Sequence, residues 1–139
     1  MIVRTAFPLR QGMVVTALMG ALMLSPSPVF AEARVPVVGA DGPTLDACGG
    51  VGSVATYEGD LAVHESPDKY ARKTDKLPPR TLVWLCEGAD DWQGIVYPSG
   101  EFQQFGDCRV SSPVAEPRPY AGPCRHGWVS AKDLQLVAG

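Results

Sequence analysis

The side chains whose chemistry can be tested against spacing are two histidines, four cysteines, and the adjacent carboxylates Asp90 and Asp91. His64 and His126 lie in unrelated surroundings, and the chain has no G-x-S-x-G elbow, no H-E-x-x-H pair and no Gly-rich phosphate loop. A non-catalytic role is therefore expected. Asp90 and Asp91 fall in the Gly- and Asp-containing stretch 87–91, where such residues start a chain reversal and stay hydrated. Cys48, Cys86, Cys108 and Cys124 never form a C-x-x-C pair, and Cys124 with His126 is one close pair rather than a metal site. No metal or cofactor is expected. In a small exported domain an even cysteine count reads as two disulfides, with three pairings open. Cys108 and Cys124 bracket most of residues 98–125, a Gly-, Pro- and Ser-rich stretch too long to stand unsupported in a compact domain. Closing a loop of ~15 residues contributes about 3 kcal/mol in the chain-entropy model. The preferred pairing is therefore Cys108 with Cys124, which leaves Cys48 with Cys86.

Export is read from the N-terminus. Arg4 and Arg10 precede an apolar run at 13–24, then Pro26 and Pro28, then Val29 and Ala31 at the spacing a signal peptidase requires. The run is about a dozen residues long, against roughly 20 for a bilayer span. Residues 1–31 are expected to be a cleaved signal peptide, with cleavage after Ala33 as the alternative. The product is expected to be periplasmic or secreted, without a stable membrane span. The formal net charge is −3 for the whole chain, and cleavage would remove two arginines and no acid. No basic patch remains to hold phosphates, so nucleic acid is not an expected partner.

The aromatics need a scaffold. Residues 81–86 and 92–97 are β-branched and aromatic, and 87–91 supplies the turn, so the centre of the chain reads as a hairpin. Leu82 and Trp84 are apolar on one face, Val83 and Leu85 on the other, so something covers both. Residues 32–44 show no periodicity and read as a flexible leader. Strands are expected at 53–57, at 61–64 and, after the central hairpin, at 127–130 and 134–137, with a polar excursion at 65–70. The charged stretch 71–76 suits a helical turn that Pro78 and Pro79 stop. No long amphipathic helix is evident. The fold class is all-β, and about five short strands suggest a small barrel.

The order of these signals resembles the bacterial SH3-like domain. Leu61, Val63, Pro67 and Tyr70 match its first element, Leu77 and Thr81 its second, and Val83 and Leu85 its third. Trp92 with Val96 match the fourth, and Gly127, Trp128, Val129 and Leu134 the last. The resemblance covers 61–137 and implies one domain, 45–139, an SH3-like barrel with the insertion 98–125 and an N-terminal extension. His64 stands where Arg is usual, Ser66 where Gly is usual, and Arg80 where a turn Gly is usual. The Ala-Leu-Tyr-Asp-Tyr stretch of eukaryotic SH3 domains is absent, so recognition of Pro-x-x-Pro ligands does not carry over.

The resemblance implies a groove that stacks an extended ligand, with Tyr70, Trp92 and Tyr97 as the candidate binding residues. Trp92 packing in the core is an equal alternative, and Trp128 is expected in the core. Phe102, Phe105 and Tyr120 either pack under the stapled loop or form a second binding surface. Two functions stay open. One is an exported module binding cell-wall (peptidoglycan) peptide or another extended peptide-like ligand. The other is a protein-interaction or inhibitor role in which the disulfide-held loop is presented to a periplasmic protein.

Overall fold

The computed structural model describes residues 8, 12, 20–27 and 32–139. Most of the apolar run at 13–24, and the cleavage positions Val29 and Ala31, lie outside the described residues. Among the described residues no helix is long and apolar enough to cross a membrane.

The fold is all-β. Among the described residues nine strands run in chain order: β1 (Val37–Val38), β2 (Gly50–Val54), β3 (Leu61–His64), β4 (Lys73–Leu77), β5 (Leu82–Ala89), β6 (Trp92–Tyr97), β7 (Arg118–Pro119), β8 (Arg125–Ser130) and β9 (Leu134–Ala138). Seven form one sheet in the order β4-β3-β8-β6-β5-β2-β9, and β1 pairs with β7 in a separate ribbon. No pairing joins β4 to β9, so the sheet is not closed. Short 3-10 turns at Phe105–Cys108 and Ala131–Asp133 interrupt the strands.

The doubly apolar hairpin expected at the centre is present, and both faces are covered except at Leu82, which stays exposed at the start of β5. Ile95, Tyr97 and Val83 enter a core with Val54, Leu61, Val63, Leu77 and Val129. Val96 and Cys86 point the other way, into a second core with Val38, Cys48, Cys108, Val110, Tyr120 and Cys124. This second core lies under the insertion. Both disulfides sit in it, Cys48 to Cys86 and Cys108 to Cys124, the pairing favoured by loop closure. Two disulfides mark the working environment as oxidising and non-cytoplasmic.

Four local expectations are corrected. The reversal of the hairpin is not residues 87–91 but only Asp90 and Asp91, with Asp90 at φ 53°. A register shift between Leu85 and Glu87 lets Cys86 turn toward the disulfide while the strand runs on to Ala89. The stretch 71–76 is not helical: Lys73–Leu77 pairs with β3 as the edge of the sheet, where charged side chains protect an open strand. The strand expected at 53–57 lies three residues earlier: β2 covers Gly50–Val54, shares only Ser53 and Val54 with that stretch, and joins the sheet beside β5.

The fourth is the leader, which packs rather than hanging free. Arg34 N–H donates to the Glu65 carbonyl at 2.9 Å, and Tyr120 N–H donates to the Pro36 carbonyl at 2.9 Å. Val37 N–H donates to Glu87 Oε2 at 2.7 Å, and the Arg34 guanidinium pairs with the same carboxylate. Pro36 is buried against Gly94, where an added Cβ would meet it at 2.8 Å. A two-residue strand is too short to show a period, which is why the sequence hides it.

Candidate functional site

The cleft around Trp92 is assembled from three parts of the chain. The hairpin reversal supplies Asp90 and Asp91, the excursion after β3 supplies Lys69, and the end of β8 with the following 3-10 turn supplies Ser130, Ala131 and Lys132. Its volume is about 550 Å³, within the range of small-ligand sites. Trp92 sits opposite Ser130 in the β6–β8 register, and Ala131 N–H donates to the Asp91 carbonyl at 2.9 Å. That bond ties the hairpin reversal to the 3-10 turn and fixes the cleft floor.

Trp92 itself is half-buried. One side meets the His64 ring edge-on at 5.0 Å between centroids, and the other borders the cleft. His64 is held by contact of its Nδ1 with the Ala71 carbonyl at 3.2 Å. The excursion is locked by its own bonds: Glu65 N–H to the Arg72 carbonyl, Ala71 N–H to the Asp68 carbonyl, and Tyr70 N–H to Asp68 Oδ1 at 2.7 Å. This leaves Tyr70 83% exposed, with Lys69 Nζ over its ring at 4.9 Å. Lys69 thus borders both the cleft and the tyrosine. The cleft carries both signs of charge, Lys69 and Lys132 against Asp90 and Asp91.

Lys69, Ser130 and Lys132 were not picked out from the sequence. The signal available was the polar turn after Gly127-Trp128-Val129, whose closeness to the hairpin reversal appears only in the fold.

Tyr97 does not belong to this cleft. It lies five residues from Trp92 on the same strand, roughly 17 Å away at the usual rise, and an odd separation turns it to the opposite face. It is 3% exposed, and its hydroxyl donates to Asp75 Oδ2 at 2.9 Å. Burial, then the facing Asp75 carboxylate, push the Tyr97 phenol well above its ordinary range. Asp75 moves the other way: burial raises it, but the Lys76 N–H, the Tyr97 hydroxyl and Arg125 together hold it below the usual carboxylate range.

A group with a depressed folded pKa stabilises fully above its unfolded value and loses that contribution as pH falls through the folded one. An aspartate ordinarily titrates at 3.8, so acid titration should show a stability loss below about pH 4 that Asp75→Asn lacks. Chemical denaturation at stepped pH measures it, and an unchanged acid profile in the variant would discount this network.

The second aromatic group divides. Phe105 stacks on Trp84 at 4.2 Å, and its carbonyl accepts Trp84 Nε1–H at 3.0 Å, so it caps the hairpin's outer face. Tyr120 is buried; its hydroxyl donates to the Cys108 carbonyl at 2.9 Å and accepts Cys124 N–H at 3.0 Å, knotting the stapled loop. Only Phe102 is exposed, at 100%. The three therefore do not share one surface.

Trp128 is in the core as expected, with its Nε1–H donated to the Arg34 carbonyl at 2.7 Å. Compared with known protein families, with curated proteins and with solved structures, the chain has no match.

Proposed function

We propose that the chain is an exported, non-catalytic binding module of SH3-like type that holds an extended peptide-like ligand in the Trp92 cleft. The observation that carries this is the pairing of a half-buried tryptophan wall with a fully presented tyrosine, joined through Lys69. Tyr70 presents its ring to solvent from a loop held by internal hydrogen bonds, and tyrosine and tryptophan are enriched among the residues that anchor ligands. Cell-wall peptide is the ligand class we favour, because its amino and carboxylate groups complement Asp90 and Asp91 and Lys69 and Lys132 respectively.

The SH3-like reading draws support from the strands at Leu61–His64, Leu82–Ala89, Trp92–Tyr97 and Arg125–Ser130, which fall where the resemblance puts them. Arg80 also adopts φ 69°, a glycine-favouring conformation, at the position where a turn glycine is usual.

The test is calorimetric titration of muropeptides into the parent, Tyr70→Ala and Trp92→Ala, with a thermal melt of each. An aromatic anchor of about 2 kcal/mol corresponds to a loss of about thirtyfold in affinity. Tyr70→Ala is the cleaner probe because it should leave the melt unchanged, while Trp92→Ala also removes the contact with His64. If both variants stay folded and bind as the parent does, or the parent does not bind, the proposal is wrong. The second reading, presentation of the insertion to a partner protein, rests on Phe102 standing fully exposed on a disulfide-held loop.

A further inference from the structure

A separate cavity of about 340 Å³ lies where the stapled insertion, which includes β7, meets β1 and Ala47. Half-buried Val114 and the small uncovered patches of the otherwise buried Val38, Val110 and Tyr120 form its apolar lining, and Arg109 and Arg118 are its charged lining residues. The one buried polar side chain there is already satisfied, since the Tyr120 hydroxyl both donates and accepts within the loop.

Arg109 and Arg118 are exposed at the mouth of the cavity. The three ion pairs among the described residues join Arg34 to Glu87, Arg72 to Glu65 and Arg125 to Asp75, and none uses Arg109 or Arg118. Asp107, the acid nearest Arg109 in sequence, has its Oδ2 taken by Gln104 N–H at 2.8 Å. Arg109 also takes a left-handed backbone, φ 59°, at the end of its 3-10 turn. One wall depends on Gly39, where an added Cβ would come within 2.3 Å of Val114 Cγ2.

We propose that this cavity binds a short apolar group carrying a terminal carboxylate, with the alkyl part among Val38, Val110 and Val114 and the carboxylate between Arg109 and Arg118. The chemistry follows from the walls. Apolar side chains favour a hydrocarbon, and two guanidiniums favour a planar anion and repel an amine. The volume is at the small end of ligand sites, which suits one branched chain rather than a long acyl tail. A free short-chain acid and the last residue of a peptide both carry these features.

NMR titration of the protein with both disulfides formed tests this, using 4-methylpentanoate, N-acetyl-leucine and N-acetyl-leucinamide as probes. Both carboxylates should shift the Val38, Val110 and Val114 resonances saturably, with dissociation constants on the order of 1 mM or tighter. The amide should bind at least about tenfold more weakly, and Arg109→Gln and Arg118→Gln should each weaken carboxylate binding about tenfold without moving the melt. Tighter binding of N-acetyl-leucine than of 4-methylpentanoate would identify a peptide end as the source, and equal or reversed order a free acid. Absence of saturable shifts, shifts confined to other residues, an amide that binds as tightly as the acid, or binding that survives the double arginine substitution would each overturn it.

Discussion

Replacing Cys48 and Cys86 together with alanine is expected to destabilise the protein by about 4 kcal/mol, more than the loss of Cys108–Cys124. The chain-entropy model sets the order: separations of 38 and 16 residues correspond to about 4 and about 3 kcal/mol. Packing adds to the loss without changing the order, because the sulfurs of both bridges lie inside the second core, where their removal leaves unfilled space. What remains to hold the N-terminal segment is non-covalent: the bonds of Arg34, Pro36 and Val37 described above, with Ala47 N–H to the Ser112 carbonyl and Cys48 N–H to the Val110 carbonyl. Urea unfolding followed by tryptophan fluorescence would show a midpoint lowered by at least about 1 M. A drop of less than about 1 kcal/mol would mean that packing of the segment, and not the cross-link, holds it in place.

The hairpin, the strands around His64 and Trp128 and the disulfide pairing were legible because each rests on a local pattern or on loop arithmetic. β-branched runs flanked by Gly and Asp mark strands wherever they fold, and a long unsupported loop needs a cross-link whatever covers it. The misreadings share a different cause. Lys73–Leu77 is charged because it is an edge, and an edge is defined by the neighbour it lacks. The leader packs because Glu87, Gly94 and Trp128 form its seat, and these come from β5, β6 and β8. The error at Tyr97 is of another kind. Its odd separation from Trp92 was visible in the sequence and excludes a shared strand face, so parity alone would have removed it from the site. The Trp92 cleft was half legible: its aromatics stood out, whereas Lys69, Ser130 and Lys132 reach it only through the β6–β8 register and the bond from Ala131 to Asp91.

Trp128→Ala is expected to cost about 3–5 kcal/mol and to loosen residues 34–38 ahead of the rest of the fold. The ring is 0% exposed, so its removal opens the largest cavity any single truncation of a fully buried side chain can make here. It also removes two attachments of the leader at once, the Nε1–H bond to the Arg34 carbonyl and the seat of the Arg34 guanidinium, which lies 4.8 Å from the ring centroid. Trp128→Phe separates these effects, since it keeps an aromatic face but leaves the Arg34 carbonyl without its donor, for roughly 1–3 kcal/mol. Arg34→Ala should cost less than either, because an exposed guanidinium contributes little to stability and Glu87 keeps its bond from Val37 N–H. Hydrogen exchange reads the local effect directly. The Val37 amide, bonded to Glu87, should lose protection in Trp128→Ala by more than the amides of β5 and β6 do. If all amides lose protection equally, the leader belongs to the same cooperative unit as the hairpin, and Trp128 holds the whole sheet rather than the seat of one segment.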